Sequence, residues 1–147
     1  MCSAPDVIVA LTSTPSRLRH LQPVIESLLR QEGGAKLRVA LFLPPTFART
    51  GEAYPELCDL PHWLAPHCVK CDFDLGPLTK LVPALALARS LGVERVLTVD
   101  DDVLYPKELV RALLEASDEW PDAAIGCAGL RRLSKQGGSD LQLAHVV

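Results

Sequence analysis

Val7-Ile8-Val9-Ala10-Leu11 is an unbroken apolar run, and Val39-Ala40-Leu41-Phe42-Leu43, Val96-Leu97-Thr98-Val99 and Ala124-Ile125-Gly126-Cys127-Ala128 share its character. Continuous apolar runs of this length, with no polar alternation, read as strands buried on both faces of a parallel sheet. Val69-Lys70-Cys71-Asp72-Phe73 is a weaker fifth candidate. Helical spacing lies between the runs. Arg17–Gln31 places Leu18, Leu21, Ile25, Leu28 and Leu29 near one face, with Pro23 expected to kink the helix or begin its second part. Thr79–Leu91 carries Leu81, Leu85 and Ala88, tolerates Pro83 in its first turn, and ends at Gly92. Pro106–Ser117 sets Leu109, Val110, Leu113 and Leu114 on one face, with Pro106 suited to the first helical position. Strand–helix–strand alternation predicts an α/β domain with right-handed crossovers.

Two segments break the alternation. Residues 44–66 hold five prolines without a period and read as a surface excursion, with one helical turn near Tyr54–Cys58. Residues 130–147, with Arg131-Arg132 and Gly137-Gly138, read as an irregular, unfinished tail, so that residues 1–129 make up the domain.

Composition narrows the function classes. The chain of 147 residues is 48% hydrophobic, enough for a single buried core. A net charge of −3 with scattered Lys and Arg argues against a nucleic-acid partner. No apolar run approaches the ~18–20 residues of a membrane span, and the N-terminus lacks the charged flank of a secretory signal. Five cysteines outside any disulfide framework point to a reducing, cytoplasmic setting. Cys58, His62, His67, Cys68 and Cys71 supply ligand types for zinc. However, their spacing is irregular, and a strand through Cys68–Cys71 would turn the thiols apart. Cys127 reads as a small core residue, and Trp63 and Trp120 as clamps of loops onto the core.

The chemistry concentrates in Asp100-Asp101-Asp102, directly after an apolar strand. Three adjacent carboxylates repel one another and call for compensation. In extended geometry Asp100 and Asp102 project to the same side, ~6.5–7 Å apart, and Asp101 points away. Two converging carboxylates suit a hard cation, Mg²⁺ or Mn²⁺, with water and phosphate oxygens completing the shell. The competing reading is a solvated acidic loop that caps the helix beginning at Pro106.

With these residues in view, the sequence resembles glycosyltransferases of the GT-A fold, the nucleotide-diphospho-sugar transferases. Val96–Asp102 looks like their strand and DxD motif. Val7–Ser13, Arg17 and the helix to Gln31 are similar to their first strand and helix. Asp74-Leu75-Gly76-Pro77-Leu78-Thr79-Lys80-Leu81 resembles the loop before their third helix, and Asp102-Val103-Leu104-Tyr105-Pro106 matches how many members continue after the acidic motif. The resemblance spans about Val7 to Gly129. It implies a three-layer α/β/α fold with a mostly parallel, Rossmann-like sheet, incomplete at the C-terminus. It also implies binding of a nucleotide-diphosphate sugar donor through Mn²⁺ or Mg²⁺ and transfer of the sugar to an acceptor of unknown identity. Asp102 would ligate the metal, and Asp100 would share it or contact the ribose. Asp101 would join the nucleotide-sugar contacts, Thr12 and Ser13 would line the nucleotide pocket, Arg17 would lie near base or phosphates, and Lys80 would meet the diphosphate as a point charge.

Complete GT-A domains continue further than the 45 residues that follow Asp102 here. The expectation is therefore a recognisable donor half with the acceptor half largely absent and no assigned catalytic base. Glu115, Asp118 and Glu119 read as the solvated face of a helix, and Asp140 and His145 as tail residues. Two other functions stay open. One is a catalytically inert sugar-nucleotide-binding module. The other is a Mg²⁺-dependent aspartate phospho-acceptor or phosphatase, disfavoured because the first strand ends in Thr12-Ser13-Thr14 without an acid.

Overall fold

The computed structural model describes residues 4–127 in full and the backbone of 129–135 and 138–144. The chain is α/β. Its elements are β1 (Val7–Leu11), α1 (Gln22–Leu29), β2 (Leu37–Leu43), β3 (Thr46–Phe47), β4 (Glu52–Ala53), β5 (Cys68–Lys70), α2 (Val82–Leu91), β6 (Val96–Thr98), α3 (Leu109–Glu119), β7 (Gly129–Lys135) and β8 (Gly138–Ala144). Strands β5, β2, β1 and β6, in that spatial order, form one all-parallel sheet flanked by helices, an arrangement compatible with a Rossmann-like fold.

Strand β1 sits inside the sheet and is buried along its whole length. Successive side chains of a strand point to opposite faces. Val7, Val9 and Leu11 accordingly pack with Val24, Ile25 and Leu28 of α1 and Val110 of α3. Ile8 and Ala10 join Ala40 and Phe42 against Ala84 and Ala88 of α2. Burial on both faces explains why the run carries no polar residue. Side chains then tie α1 to the segment before α3. The Gln31 amide donates to the carbonyls of Ser27 and Pro106, and its oxygen accepts from the Val110 N–H.

Helix termini follow local chemistry. Pro23 begins a helix: Pro15–His20 forms a 3-10 turn, and α1 starts afresh at Gln22. Gly92 ends α2 in the left-handed region at φ 66°, a conformation a Cβ would strain. Pro106 does not open α3. The helix begins three residues later, after the Pro106 carbonyl has accepted from the Leu109 N–H.

Several expectations from the sequence are corrected. β6 is not buried on both faces: Val96 and Leu97 are half-buried and Thr98 is exposed, because among the described residues β6 pairs only with β1. Residues 124–127 form no strand, and Cys127 is exposed rather than in the core. Alanine and glycine give a pleated surface little to pack, and Ile125 is the one β-branched residue there; Ala128 lies outside the described residues. β5 spans Cys68–Lys70, a shorter piece than Val69–Phe73, since pairing with β2 ends when the Cys71 N–H donates to the Leu43 carbonyl. Leu85 faces outward on α2, where Ala84 and Ala88 meet the sheet, because Ile8 and Phe42 already supply the bulk on that side.

The 44–66 excursion is more ordered than its composition suggests. It contains the β3–β4 hairpin and a 3-10 turn at Leu57–Asp59, and it buries Leu60 and Leu64 in the core. Trp63 packs on that core, as expected of a clamp, whereas Trp120 is exposed. In place of an irregular tail, β7 and β8 pair as an antiparallel hairpin from Gly129↔Ala144 to Lys135↔Gly138. The strands are separated by only Gln136-Gly137, and Leu141 and Leu143 alternate with polar residues. A two-residue link between runs of this kind is a local hairpin signal. Asp140 lies in β8, and His145 lies outside the described residues. No helix among the described residues is long and apolar enough to cross a membrane.

Replacing the fully buried Phe42 with alanine is expected to lower unfolding free energy by about 3–5 kcal/mol. Leu85→Ala, on the exposed side of α2, should change it by less than about 0.5 kcal/mol. Urea titrations of the two variants check this; similar losses in both would contradict the assigned helix face.

Candidate functional site

The sheet order contains a reversal. From β1 the chain winds outward through β2 to β5, then returns to place β6 on the other side of β1. Open α/β sheets bind ligands at such a switch point, outside the carboxyl ends of the strands. The residues that leave β1 and β6 there are Thr12-Ser13-Thr14 and Asp100-Asp101-Asp102. Pairing persists just past β6, where the Val99 N–H donates to the Ala10 carbonyl, and the backbone then turns at Asp101-Asp102.

That turn changes the expected geometry of the acidic trio. Asp101 does not point away from the site. Its side chain is only 12% exposed, accepting from Ser13 Oγ at 2.6 Å and from Arg17 Nη1 at 2.8 Å. Asp100 and Asp102 are the exposed members, at 66% and 59%. They meet different cations: Asp100 accepts from Lys80 Nζ at 2.5 Å, while Asp102 lies 3.5 Å from Arg17 Nη1. The alternation expected of an extended strand fails because Asp101 and Asp102 occupy a turn. Arg17 reaches the trio from the 3-10 turn that Pro15 opens, and its own N–H donates to the Thr14 carbonyl. Lys80, at the end of another 3-10 turn, also donates to the Val99 carbonyl at 3.1 Å. The Thr12 hydroxyl donates to the Phe42 carbonyl at 2.9 Å.

Three residues not singled out from the sequence hold this arrangement. Tyr105 brackets the first aspartate, its hydroxyl accepting from the Asp100 N–H at 2.7 Å and donating to the Asp100 carbonyl at 3.3 Å. Tyr54 donates to the Ser13 carbonyl at 2.7 Å. Burial raises its hydroxyl pKa, and the neighbouring carboxylates, Asp74 foremost, raise it further, so Tyr54 keeps its proton well past neutral pH. Asp74 accepts from the N–H groups of Ala48 and Gly76 and from the hydroxyl of the buried Thr79. Its pattern was legible, since an aspartate that bonds the N–H two residues on forms an Asx turn. No local signal marks Tyr54, whose partner lies 41 positions earlier.

The donor set bears on which metals could sit here. Among the described residues no group of three or more His, Cys, Asp and Glu could hold an ion. Magnesium-type ions commonly use one or two carboxylates and take their remaining oxygens from water and substrate phosphates. Asp102 fits such a site, because among the described residues its carboxylate meets one cation, Arg17, at 3.5 Å; Asp100 fits less directly, being engaged by Lys80. Two hollows adjoin the rim. One, of about 370 Å³, lies beyond β2 and β5 and is lined by Leu43, Pro45, Tyr54, Leu57, Cys71 and Asp72. The other, of about 790 Å³, runs along β6 past Leu97, Tyr105, Val110 and Ile125 to Lys80 and Asp100.

Burial pushes the Asp74 carboxyl pKa up, but the donors Ala48, Gly76 and Thr79 and the charge of Arg49 outweigh it, so the folded pKa lies below the ordinary 3.8. A depressed folded pKa means that ionised Asp74 stabilises the fold above the ordinary value, and that this contribution is lost as pH falls through the folded one. Asp74→Asn is therefore expected to lower thermal stability at neutral pH and to show a shallower loss below about pH 4 than the wild-type chain. Melting curves measured from neutral to acid pH test this; parallel acid limbs would remove Asp74 from the role. Compared with known protein families and with curated proteins, the sequence matches none.

Proposed function

We propose that the chain is the donor-binding unit of a three-layer GT-A-type glycosyltransferase, which binds a nucleotide-diphosphate sugar with Mn²⁺ or Mg²⁺ and passes the sugar to an acceptor. One observation carries this reading. At the switch point of a parallel sheet, Ser13 and Arg17 from the end of β1 are bonded to the acidic turn that follows β6. A carboxylate-bearing turn at a switch point supports a reading in which a metal-bridged diphosphate is recognised there.

Each residue's part follows from its surroundings. Asp102 is the exposed carboxylate with lone pairs to give to a metal, and Asp100 is the second candidate ligand or a ribose acceptor. Asp101, held by Ser13 and Arg17, fixes the turn that presents the other two. Lys80, fastened by the Val99 carbonyl, keeps an ammonium at the mouth of the larger hollow, where phosphate oxygens would lie. When bound, the divalent ion would supply Lewis-acid stabilisation of the charge that develops on the departing nucleoside diphosphate.

A donor-binding module without turnover is the second reading, and the engagement of Asp74 and Asp101 favours it. An inverting transfer needs a base for the acceptor hydroxyl. Asp74 and Asp101 each accept from two or more donors, which leaves neither poised to take a proton.

Calorimetric titration with uridine and guanosine diphosphates is expected to show binding that depends on Mn²⁺. Asp102→Ala should weaken it at least tenfold, about 1.4 kcal/mol, without lowering the melting temperature, since Asp102 is exposed. Equal binding with and without the metal, or an unaffected variant, counts against the proposal. Release of nucleoside diphosphate from a sugar nucleotide separates a transferase from an inert module.

A further inference from the structure

Helix α2 turns its small residues to the sheet and its large ones to solvent. Ala84 and Ala88 are buried with Ile8 and Phe42, while Val82 and Leu85 are about half exposed. Within the helix only Arg89 and Ser90 are polar. A helix that is apolar all round is ordinarily covered on every side. The outer face extends back through the 3-10 turn Gly76–Lys80. Leu75, Leu78, Val82 and Leu85 follow one another at steps of three and four residues, the spacing of a single helical face, and Phe73 stands just ahead of them. All five residues are between 45% and 73% exposed. Contiguous apolar surface on the order of several hundred Å² marks an interaction site on a folded chain.

The two ends of this stripe differ in charge. From Leu75 to Val93 the sequence holds no Asp or Glu. Lys80 turns inward to Asp100, so its charge is engaged at the acidic turn. Arg89, exposed and one helical turn beyond Leu85, continues the apolar face at its carboxyl end. Asp72, also exposed, stands beside Phe73 at the other end. Among the described residues neither Asp72 nor Arg89 makes an ion pair. An apolar face with an unpaired acid at one end and an unpaired base at the other is complementary to itself when two copies meet about a twofold axis.

We infer that this face binds a second copy of the chain, in an isologous contact in which the two apolar stripes lie antiparallel and Asp72 of each copy meets Arg89 of the other. The contact does not depend on donor binding. A lipid surface suits the face less well, because Asp72 offsets Arg89 and leaves little attraction for anionic headgroups.

The test is sedimentation equilibrium of the whole chain from dilute to concentrated solution. The wild-type mass is expected to rise from that of one chain towards that of two. Val82→Glu places an acid in the first turn of α2, where the helix dipole favours it, so this variant should keep its melting temperature and stay at one chain throughout. Asp72→Arg and Arg89→Asp should each weaken association about threefold or more. An equimolar mixture of the two should recover it, because each variant supplies the charge that the other lacks. Folding of a single copy does not use this face, so urea titrations in dilute solution report stability apart from association. The inference is overturned if the wild-type chain remains single at every concentration, or if Val82→Glu associates as the wild type does, which places the contact elsewhere. It is overturned equally if the mixture associates no better than its components. Binding of a single chain to phosphatidylserine vesicles, lost in Val82→Glu, would assign the face to a lipid surface instead.

Discussion

The parallel pairing of β1 with β6 is the contact on which the rest depends. It runs from Ile8↔Val96 to Ala10↔Thr98 and continues through the Val99 N–H to the Ala10 carbonyl. Those few backbone bonds join segments some 90 residues apart in sequence, set the reversal in the sheet, and bring the end of the first strand beside the acidic turn. They hold because β1 is sheathed on both faces, so its polar backbone has no alternative to strand partners. Without this pairing, Ser13 and Arg17 would have nothing to bond, and the three aspartates would be an uncompensated cluster.

Compensation of charge then shapes the rim. Three adjacent carboxylates are held together by two cations from two different turns, and the hydroxyl of Ser13 takes up part of the remaining demand. The outcome is a division of labour within the trio. The middle aspartate is sequestered as a structural member, while its neighbours stay exposed and differ in how firmly they are engaged. Asp74 does for the opposite side of the rim what Asp101 does at the switch point: one carboxylate gathers donors from separate loops and ties them together.

The contrast between what was legible and what was not follows from the range of the forces involved. Strands β1 and β2 and the capped end of α2 at Gly92 were readable because apolar continuity and a left-handed glycine are local properties. The stretch at 124–127 misled because its apolar character came from alanine, glycine and cysteine, which satisfy a hydropathy pattern but have little to pack in a sheet. Leu85 misled similarly. Periodicity marked a face, but which face meets the sheet depended on Ile8 and Phe42. The candidate site was half legible. Composition after a strand singled out Asp100–Asp102, and the family resemblance brought in Lys80 and the end of β1, whereas Tyr54 and Tyr105 acquire meaning only through partners elsewhere in the chain.

By itself the sequence determined the α/β class, the central buried strand and the presence of a carboxylate cluster at a strand end, because burial patterns and local charge repulsion are written in neighbouring residues. The tertiary structure alone decided that Asp101 rather than Asp100 is the anchored carboxylate, and that Arg17 and Lys80 neutralise different members of the trio. The physical reason is that the pairing of a charge depends on distance in space. Here those distances are set by turns after β1 and β6 that the winding of the sheet brings together.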